Sequence, residues 1–440
     1  MSNPVVGFEK PVQPRTKFRW VVLAIIFLFY MINFADRTNI GVVLPAIKNE
    51  FGVSNFEAGA LASFFFLGYA VTQIPAGFWI SRFGTRGLVS LSILGFSIFT
   101  FLIGTSASAT AMKWFRLGLG LCEGPSPVGG SATIKNWYPP QERATATGVF
   151  MGATSLALMA VPPLAVWIMV HYGWRYVFYC FAIPGIILSA VWYMLVHTHP
   201  EDSPYCSPAE VEYIKTTSSE IKTEEKATGS LGWLDTLIRA KKVRLLETNA
   251  QVFKSWNVIG ISLTYFFIGF VTYGMMIWIP SYLVNAKGYS LVGMGWVAAA
   301  PWVGALIGQI GGGMLSDKLL LKRRKPNMMI APLAFIAMMA ILVNVPNDVT
   351  LLTITLFTTG LLLNIGWSCY WAYPMGLTTG NTYPVAIAVM ASIGNLSGFF
   401  SPMIAGYLLD AYKSYDFVFY FFGACALLSF LVVSTIDEPI

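Results

Sequence analysis

Residues 19–46 read RWVVLAIIFLFYMINFADRTNIGVVLPA, a run in which only Arg19, Asp36 and Arg37 carry charge. A bilayer's hydrocarbon core is ~30 Å thick and a helix rises ~1.5 Å per residue, so about 20 mostly apolar residues suffice to cross it. This stretch is therefore a membrane-crossing helix with an ion pair's worth of charge inside it. Residues 111–133, AMKWFRLGLGLCEGPSPVGGSAT, repeat the pattern with Arg116 and Glu123. A charge at membrane depth is expensive and faces a bundle interior or a wet cavity, so two acids and two arginines there mark where a substrate and an ion are held. The chain reads as a transporter.

Composition agrees along the whole length. Of 440 residues 56% are hydrophobic and 11% charged, where a soluble protein carries about 25% charged residues. Hydropathy windows give twelve crossing segments: 19–46, 56–79, 87–107, 111–133, 144–170 and 175–196, then 255–284, 291–315, 327–345, 350–373, 384–411 and 416–435. The expected organisation is an N-terminal six-helix bundle (1–196), a linker (197–254) and a C-terminal six-helix bundle (255–440). The linker holds an acidic, Ser/Thr-rich run over Ser207–Thr228 and a basic one over Arg239–Arg244. It has too few apolar residues for a soluble enzyme domain, and short surface helices are expected in it.

Charge sets the expected orientation, because short cytoplasmic loops are rich in Lys and Arg. With both termini inside, 21 of the 28 basic residues fall on the cytoplasmic side. Lys48, Lys113, Arg175, Lys287 and Lys413 fall outside, and Arg37 and Arg116 lie in the membrane. The net charge of +7 thus reflects topology; loops facing anionic lipid, not nucleic acid, account for it. The expected location is a plasma membrane, the bacterial inner one, crossed many times.

The halves repeat a loop pattern. After segment 2 the chain reads Gly77-Phe-Trp-Ile-Ser81-Arg82-Phe-Gly84-Thr-Arg86, and after segment 8 Gly313-Met-Leu-Ser-Asp317-Lys318 followed by Lys322-Arg323-Arg324. Glycine lets helices approach closely, and basic side chains cap helix ends. Gly77, Arg82, Gly84, Arg86, Gly313 and Asp317 are accordingly candidate gating residues.

With this repeat, the chain resembles the major facilitator superfamily over essentially its whole length, and within it the anion:cation symporter family of hexonate and hexuronate transporters. The resemblance rests on Asn33-Phe-Ala-Asp36-Arg37-Thr-Asn39, Gln73-Ile-Pro75-Ala-Gly77, the run Arg116-Leu-Gly-Leu-Gly-Leu-Cys-Glu123-Gly-Pro125-Ser-Pro127, and Trp137-Tyr-Pro139-Pro-Gln-Glu142-Arg143. Ser81 departs from it, standing where the family usually has Asp. The resemblance implies an all-α membrane protein, with twelve transmembrane helices in two pseudo-symmetric six-helix bundles, a midplane substrate site between them and alternating access. It implies a monomer. By matching positions it also implies Tyr69 and Thr154 as substrate contacts, with Thr154 and Ala391 standing where relatives carry an amide.

The chemistry follows from helix geometry. Arg116 and Glu123 are seven residues apart, about two turns, and share a face. Adjacent Asp36 and Arg37 point about 100° apart, so one pairs across the bundle while the other faces substrate. We expect Asp36 to pair with Arg116, Arg37 to grip a substrate carboxylate as a two-pronged donor, and Glu123 to be the deeper proton site, Asp36 and Glu123 sharing the proton coupling. A purely structural ion-pair network is the plain alternative, yet buried pairs stabilise less than apolar packing. The second half offers polar and aromatic candidates: Tyr273 and Trp278 on segment 7, a stripe of Asn364, Ser368 and Trp371 on segment 10, and Asn395 on segment 11. For each aromatic alone, core packing or an interfacial belt is the first explanation; the stripe as a whole suits a hydroxylated carbon chain.

There is no GxxxxGK[ST] phosphate loop, which argues against ATP drive, and no Cys or His spacing that suits a metal or cofactor. The expected activity is import of a small organic anion, such as a hexonate or hexuronate, with protons. An aromatic or sulfonated acid remains open as cargo. An organophosphate antiporter would be expected to place a cation in each half, a transporter-like receptor would lack counterflow, and a membrane enzyme would need a nucleophile or metal cluster.

Overall fold

The computed structural model describes residues 16–216, 231–379 and 382–439. Twelve helical segments dominate. In the first half they are α1 (Phe18–Phe51), α2 (Asn55–Phe83), α3 (Thr85–Gly104), α4 in two pieces (Ala109–Glu123 and Ser126–Trp137), α5 (Pro140–Tyr172) and α6 (Trp174–Leu195). In the second they are α7 (Trp256–Asn285), α8 (Leu291–Met314, running into a π-helical turn at Leu315–Leu319), α9 (Lys325–Asn344), α10 in pieces (Val349–Asn364, then Trp367–Ala372 and Tyr373–Gly376), α11 (Tyr383–Tyr412) and α12 (Asp416–Thr435). Each matches a segment expected from hydropathy, most ending a few residues further out. Ten are long and apolar enough to cross a membrane, and α2 joins them as a pair, Asn55–Gln73 and Pro75–Phe83, bent by 51°. The two pieces of α4 are each too short to cross alone.

Helices suit lipid because their backbone hydrogen bonds close internally. Their outward faces carry large exposed apolar side chains, among them Leu91, Ile187, Leu319 and Tyr407. Inside each half the packing is aromatic and aliphatic, as in the stack of Phe29 against Phe96 and Trp192 in the first. Where backbones must nearly touch, glycine makes room. A Cβ on Gly120 of α4 would lie 2.0 Å from the Phe65 carbonyl oxygen of α2.

The two described ends of the chain and the linker lie on one face of the molecule, here the terminal face; the opposite one is the far face. The linker is shared between the halves. Its helix Pro208–Thr216 is fastened to the first half through Glu210, which accepts from Arg19 Nη1 at 2.8 Å, from the Thr16 hydroxyl at 2.6 Å and from the Phe18 amide. Burial would raise the Glu210 carboxyl, but these donors outweigh it and hold it below the usual carboxylate range. The later linker residues Ala240–Lys241 instead form a short parallel strand pair with Glu438–Pro439 behind α12, and Asp235 pairs with Arg323. Of the expected acidic run, 217–228 lies outside the described residues, as do Lys10 and Arg15 of the basic N-terminus.

The halves meet along α2 with α11, α1 with α7 and α5 with α8. Near the far face the seam is tight. Asp410 of α11 accepts the Asn55 and Phe56 amides at 3.1 and 2.8 Å, capping the start of α2 across the seam. Phe66 packs on Tyr273 across it, while within the second half the Trp278 indole of α7 donates to the Pro402 carbonyl of α11 at 3.2 Å. Toward the terminal face the helices part: α2 bends between Gln73 and Pro75, and among the described residues no neighbouring helix comes within 4 Å of a Cβ built on Gly77. The fold is thus closed on the far half and open toward the terminal face.

The close seam generates a test. A Cβ on Gly59 would lie 2.2 Å from the Pro402 carbonyl oxygen of α11, backbone that cannot step aside. Gly59→Leu should therefore disfavour this conformation and open the far side. Ser281, fully buried in α7, is the reporter: in a background lacking the native cysteines, Ser281→Cys should react faster with a membrane-impermeant maleimide when Gly59 is also Leu. Equal rates would show that the seam does not control access.

Candidate functional site

Four ionisable side chains lie at mid-depth between α1, α2 and α4, all at most 3% exposed. Arg37 Nε donates to Glu123 Oε2 at 3.0 Å, and Arg37 Nη2 donates to Asn33 Oδ1 at 2.8 Å, one helical turn earlier on α1. The guanidinium lies 4.4 Å from the Tyr69 ring centre and 4.5 Å from that of Phe34, with Phe65 at 5.3 Å. Planar guanidinium against aromatic faces holds a cation where water is scarce. Arg37 is thus paired and boxed, its partner a single carboxylate.

The expected side-chain pair of Asp36 with Arg116 is not formed. Arg116 Nη1 donates to the backbone carbonyl of Asp36 at 3.0 Å, and Nε to that of Leu61 at 3.3 Å. Both Asp36 carboxylate oxygens and Arg116 Nη2 are buried without a hydrogen-bond partner, with Thr100 the neighbouring hydroxyl of Asp36. The close approach of α4 to α2 at Gly120 draws the guanidinium onto carbonyls.

Both fourth helices are interrupted where the site lies. In the first half α4 stops at Glu123 and resumes at Ser126, the break falling on Gly124-Pro125, where proline lacks an amide hydrogen. In the second α10 stops at Asn364 and resumes at Trp367 after Ile365-Gly366. Paired breaks at corresponding positions of two halves point to a midplane binding site. The break also alters the expected stripe. Asn364 accepts from Gln309 Nε2 of α8 at 3.3 Å and donates to Gly360, the Ser368 hydroxyl approaches the Gln309 carbonyl at 3.5 Å, and Trp371 packs on Tyr265. Asn364 and Ser368 thus gather on α8 rather than forming one face with Trp371.

The remaining candidates separate. Asn395 of α11 accepts from the Tyr273 hydroxyl at 2.9 Å and donates to Gln73 Oε1 of α2 at 3.0 Å, joining the halves one turn from Tyr69. Trp278, 2% exposed, is held within the second half by its hydrogen bond to the Pro402 carbonyl of α11. The Thr154 hydroxyl turns back onto the Met151 carbonyl of its own helix. Among the gating candidates, Gly84 takes φ 77° in the turn between α2 and α3, Arg86 Nε donates to the Tyr193 carbonyl, Arg82 stacks over Phe83, and Asp317 pairs with Arg324. These contacts lie within each half, and Gly313 lies 3.4 Å from the Ser368 hydroxyl by its would-be Cβ. No group of His, Cys, Asp and Glu among the described residues could hold a metal ion.

Sequence reasoning passed over Asn33, Gln73 and Gln309. Asn33 and Arg37 are four apart, as are Tyr69 and Gln73, and that spacing was the available signal for the first two. The signal for the breaks was Gly124-Pro125 and Gly366.

The family model of the Major Facilitator Superfamily matches residues 26–402. The chain is 28% identical to the probable galactarate/D-glucarate transporter GudP of Bacillus subtilis (strain 168), over 98% of this chain and 94% of that one. It is 27% identical to the D-galactonate transporter of Escherichia coli O6:H1, covering 90% of each. Among solved structures, it is similar to a bacterial homologue of the human lysosomal transporter Spinster in an inward-facing, unoccupied conformation, with TM-score 0.74, 21% identity and 96% and 98% of the two chains covered. A D-xylose-proton symporter superposes with TM-score 0.73 at 15% identity, again over 96% and 98%.

Breaking a buried ion pair from one side leaves an uncompensated charge and costs about 3–5 kcal/mol, whereas replacing both partners by apolar groups is nearly neutral. Glu123→Leu should therefore lower the unfolding midpoint in detergent well below that of the double variant Arg37→Met/Glu123→Leu. Equal midpoints would show that the pair is not coupled.

Proposed function

The chain belongs to the major facilitator superfamily, and from that premise we propose that it imports a six-carbon sugar acid by proton symport with alternating access. It is a transporter rather than an enzyme. The observation that carries the reading is the ion pair of Arg37 with Glu123 at membrane depth, set at the break of α4 and boxed by Tyr69 and Phe34. Arg37 offers a planar fork to a substrate carboxylate, which competes with Glu123 for it. Once displaced, Glu123 is a desolvated carboxylate without its counter-charge and takes a proton; return of Arg37 expels that proton on the other side. Asp36, buried without a hydrogen-bond partner, is the second proton carrier.

Charge balance supports the pairing of two acids with this cargo. Each unit charge costs about 2.3 kcal/mol per 100 mV to bring into an inside-negative compartment. The relatives named for galactarate and D-glucarate handle dicarboxylates, and two protons make such a cargo neutral. For the hydroxyls of the cargo, Asn395 and Tyr273 offer polar groups across the seam and Gln73 one on the Arg37 side; Tyr69 also lines the Arg37 side, and the Thr154 hydroxyl joins by leaving the Met151 carbonyl. Asn364, Ser368 and Trp371 bind from α10, with Trp278 and Arg116 holding the walls. The gating residues Gly77, Arg82, Gly84, Arg86, Gly313 and Asp317 exchange contacts between halves when the terminal side closes. The Lys and Arg residues of the N-terminus, the linker and the loops of that side support a cytoplasmic terminal face, the protein acting as a monomer in a plasma membrane.

Purified protein in vesicles loaded with D-glucarate tests this reading. Glu123→Gln keeps the shape of the protonated acid, so exchange of labelled for unlabelled D-glucarate should persist while uptake driven by a pH gradient falls to background. Arg37→Lys, which loses the fork, should lose most binding and both activities. Gradient-driven accumulation by Glu123→Gln at the wild-type level would leave Glu123 a structural partner only.

A further inference from the structure

On the far face, a cavity of about 290 Å3 opens between the halves above the sealed seam, lined by Lys48 and Asn49 of α1, Asn55 of α2, Asn285 of α7, Lys413 at the end of α11 and Tyr415. We propose that this vestibule is an anion-recruiting site, where Lys48 and Lys413 hold a small carboxylate before the far gate opens. The proposal rests on the reading of the protein as an organic-anion importer and adds a second, outer site to it.

Three observations carry it. The far face has few cations, and the others that the structure describes in contact are engaged: Arg175 pairs with Glu50 at 2.6 Å, and Lys287 Nζ donates to the Val345 carbonyl. Lys48 and Lys413, from opposite halves, instead converge on the seam that leads to Arg37. Neither forms an ion pair among the described residues. Asp410, the carboxylate within reach of Lys48, spends both oxygens on Asn55 and the Phe56 amide, and Lys48 itself donates only to the neutral Asn55 side chain. Two ammonium groups therefore share one committed carboxylate in a cavity whose other lining is amides, a phenol and the apolar Pro45 and Leu409; the amides and the phenol are donors that suit a carboxylate and its hydroxyls.

A plainer role exists, since lysines near the C-terminal ends of α1 and α11 also offset the helix dipoles. That role affects stability and is blind to which side the substrate comes from. Recruitment by charge acts on capture, so it weakens as salt shortens the Debye length from ~30 Å at 0.01 M to ~3 Å at 1 M.

The test compares wild type with Lys48→Gln/Lys413→Gln in vesicles of defined orientation. For D-glucarate added at the far face, the double variant should show a KM raised about three- to tenfold at low ionic strength, converging on wild type at high salt. The maximal rate, and KM from the terminal face, should be unchanged. Equal KM at both salts, or a fall in maximal rate alone, would overturn the proposal. A second readout does not depend on transport: millimolar D-glucarate, but not neutral galactitol, should slow modification of Lys413 by an impermeant amine-reactive reagent. Protection without wild-type uptake would keep the vestibule and refute the importer; uptake without protection or a KM shift would do the reverse.

Discussion

The cost of holding charge in a low-dielectric interior organises this molecule. Arg37 and Glu123 are each tolerable there only because the other is present, and both are replaceable by an outside anion or a proton. A pair that is expensive to break from one side, yet easily exchanged for another partner, is a switch. Its neighbours follow from the same constraint. Asn33 takes the second guanidinium nitrogen, Tyr69 and Phe34 close over its faces, and Arg116 satisfies itself on backbone carbonyls.

Around that pair the halves are built to separate. The far seam relies on backbone against backbone at Gly59 and Pro402, a helix start capped by Asp410, and aromatic contacts. Toward the terminal face α2 bends away past Gln73, where the Gln73–Asn395 hydrogen bond joins the halves near the depth of the site. Asn395 also holds the Tyr273 hydroxyl, so a cargo hydroxyl that competes for its amide would disturb a link between halves. The linker does not brace the whole: Glu210 ties its early part to α1, and the strand at Ala240–Lys241 ties its later part behind α12.

Much of this was legible in the sequence, for physical reasons. Twelve crossing segments can be read because lipid demands long apolar helices, and the four embedded charges stand out because each is costly. The partner choice was not legible. Seven-residue spacing put Arg116 and Glu123 on one face, but only the packing of α2 on α4 at Gly120 sends Arg116 to the carbonyls of Leu61 and Asp36. The Asn364, Ser368 and Trp371 stripe assumed an unbroken helix, and the turn at Ile365-Gly366 shifted its phase. Nor was the bond of the Trp278 indole to the Pro402 carbonyl of α11, inside the second half, legible, since it depends on how α7 packs on α11.

The central claim is that an anion at Arg37 frees Glu123 to take a proton. Calorimetric binding of D-glucarate to the purified protein, repeated near neutral pH in buffers of different ionisation enthalpy, measures proton uptake directly. The account predicts that binding draws protons from the buffer in the wild type and that the uptake falls by about one proton in Glu123→Gln, binding being retained. Tight binding with no proton uptake in the wild type, or the same uptake in both proteins, would contradict it.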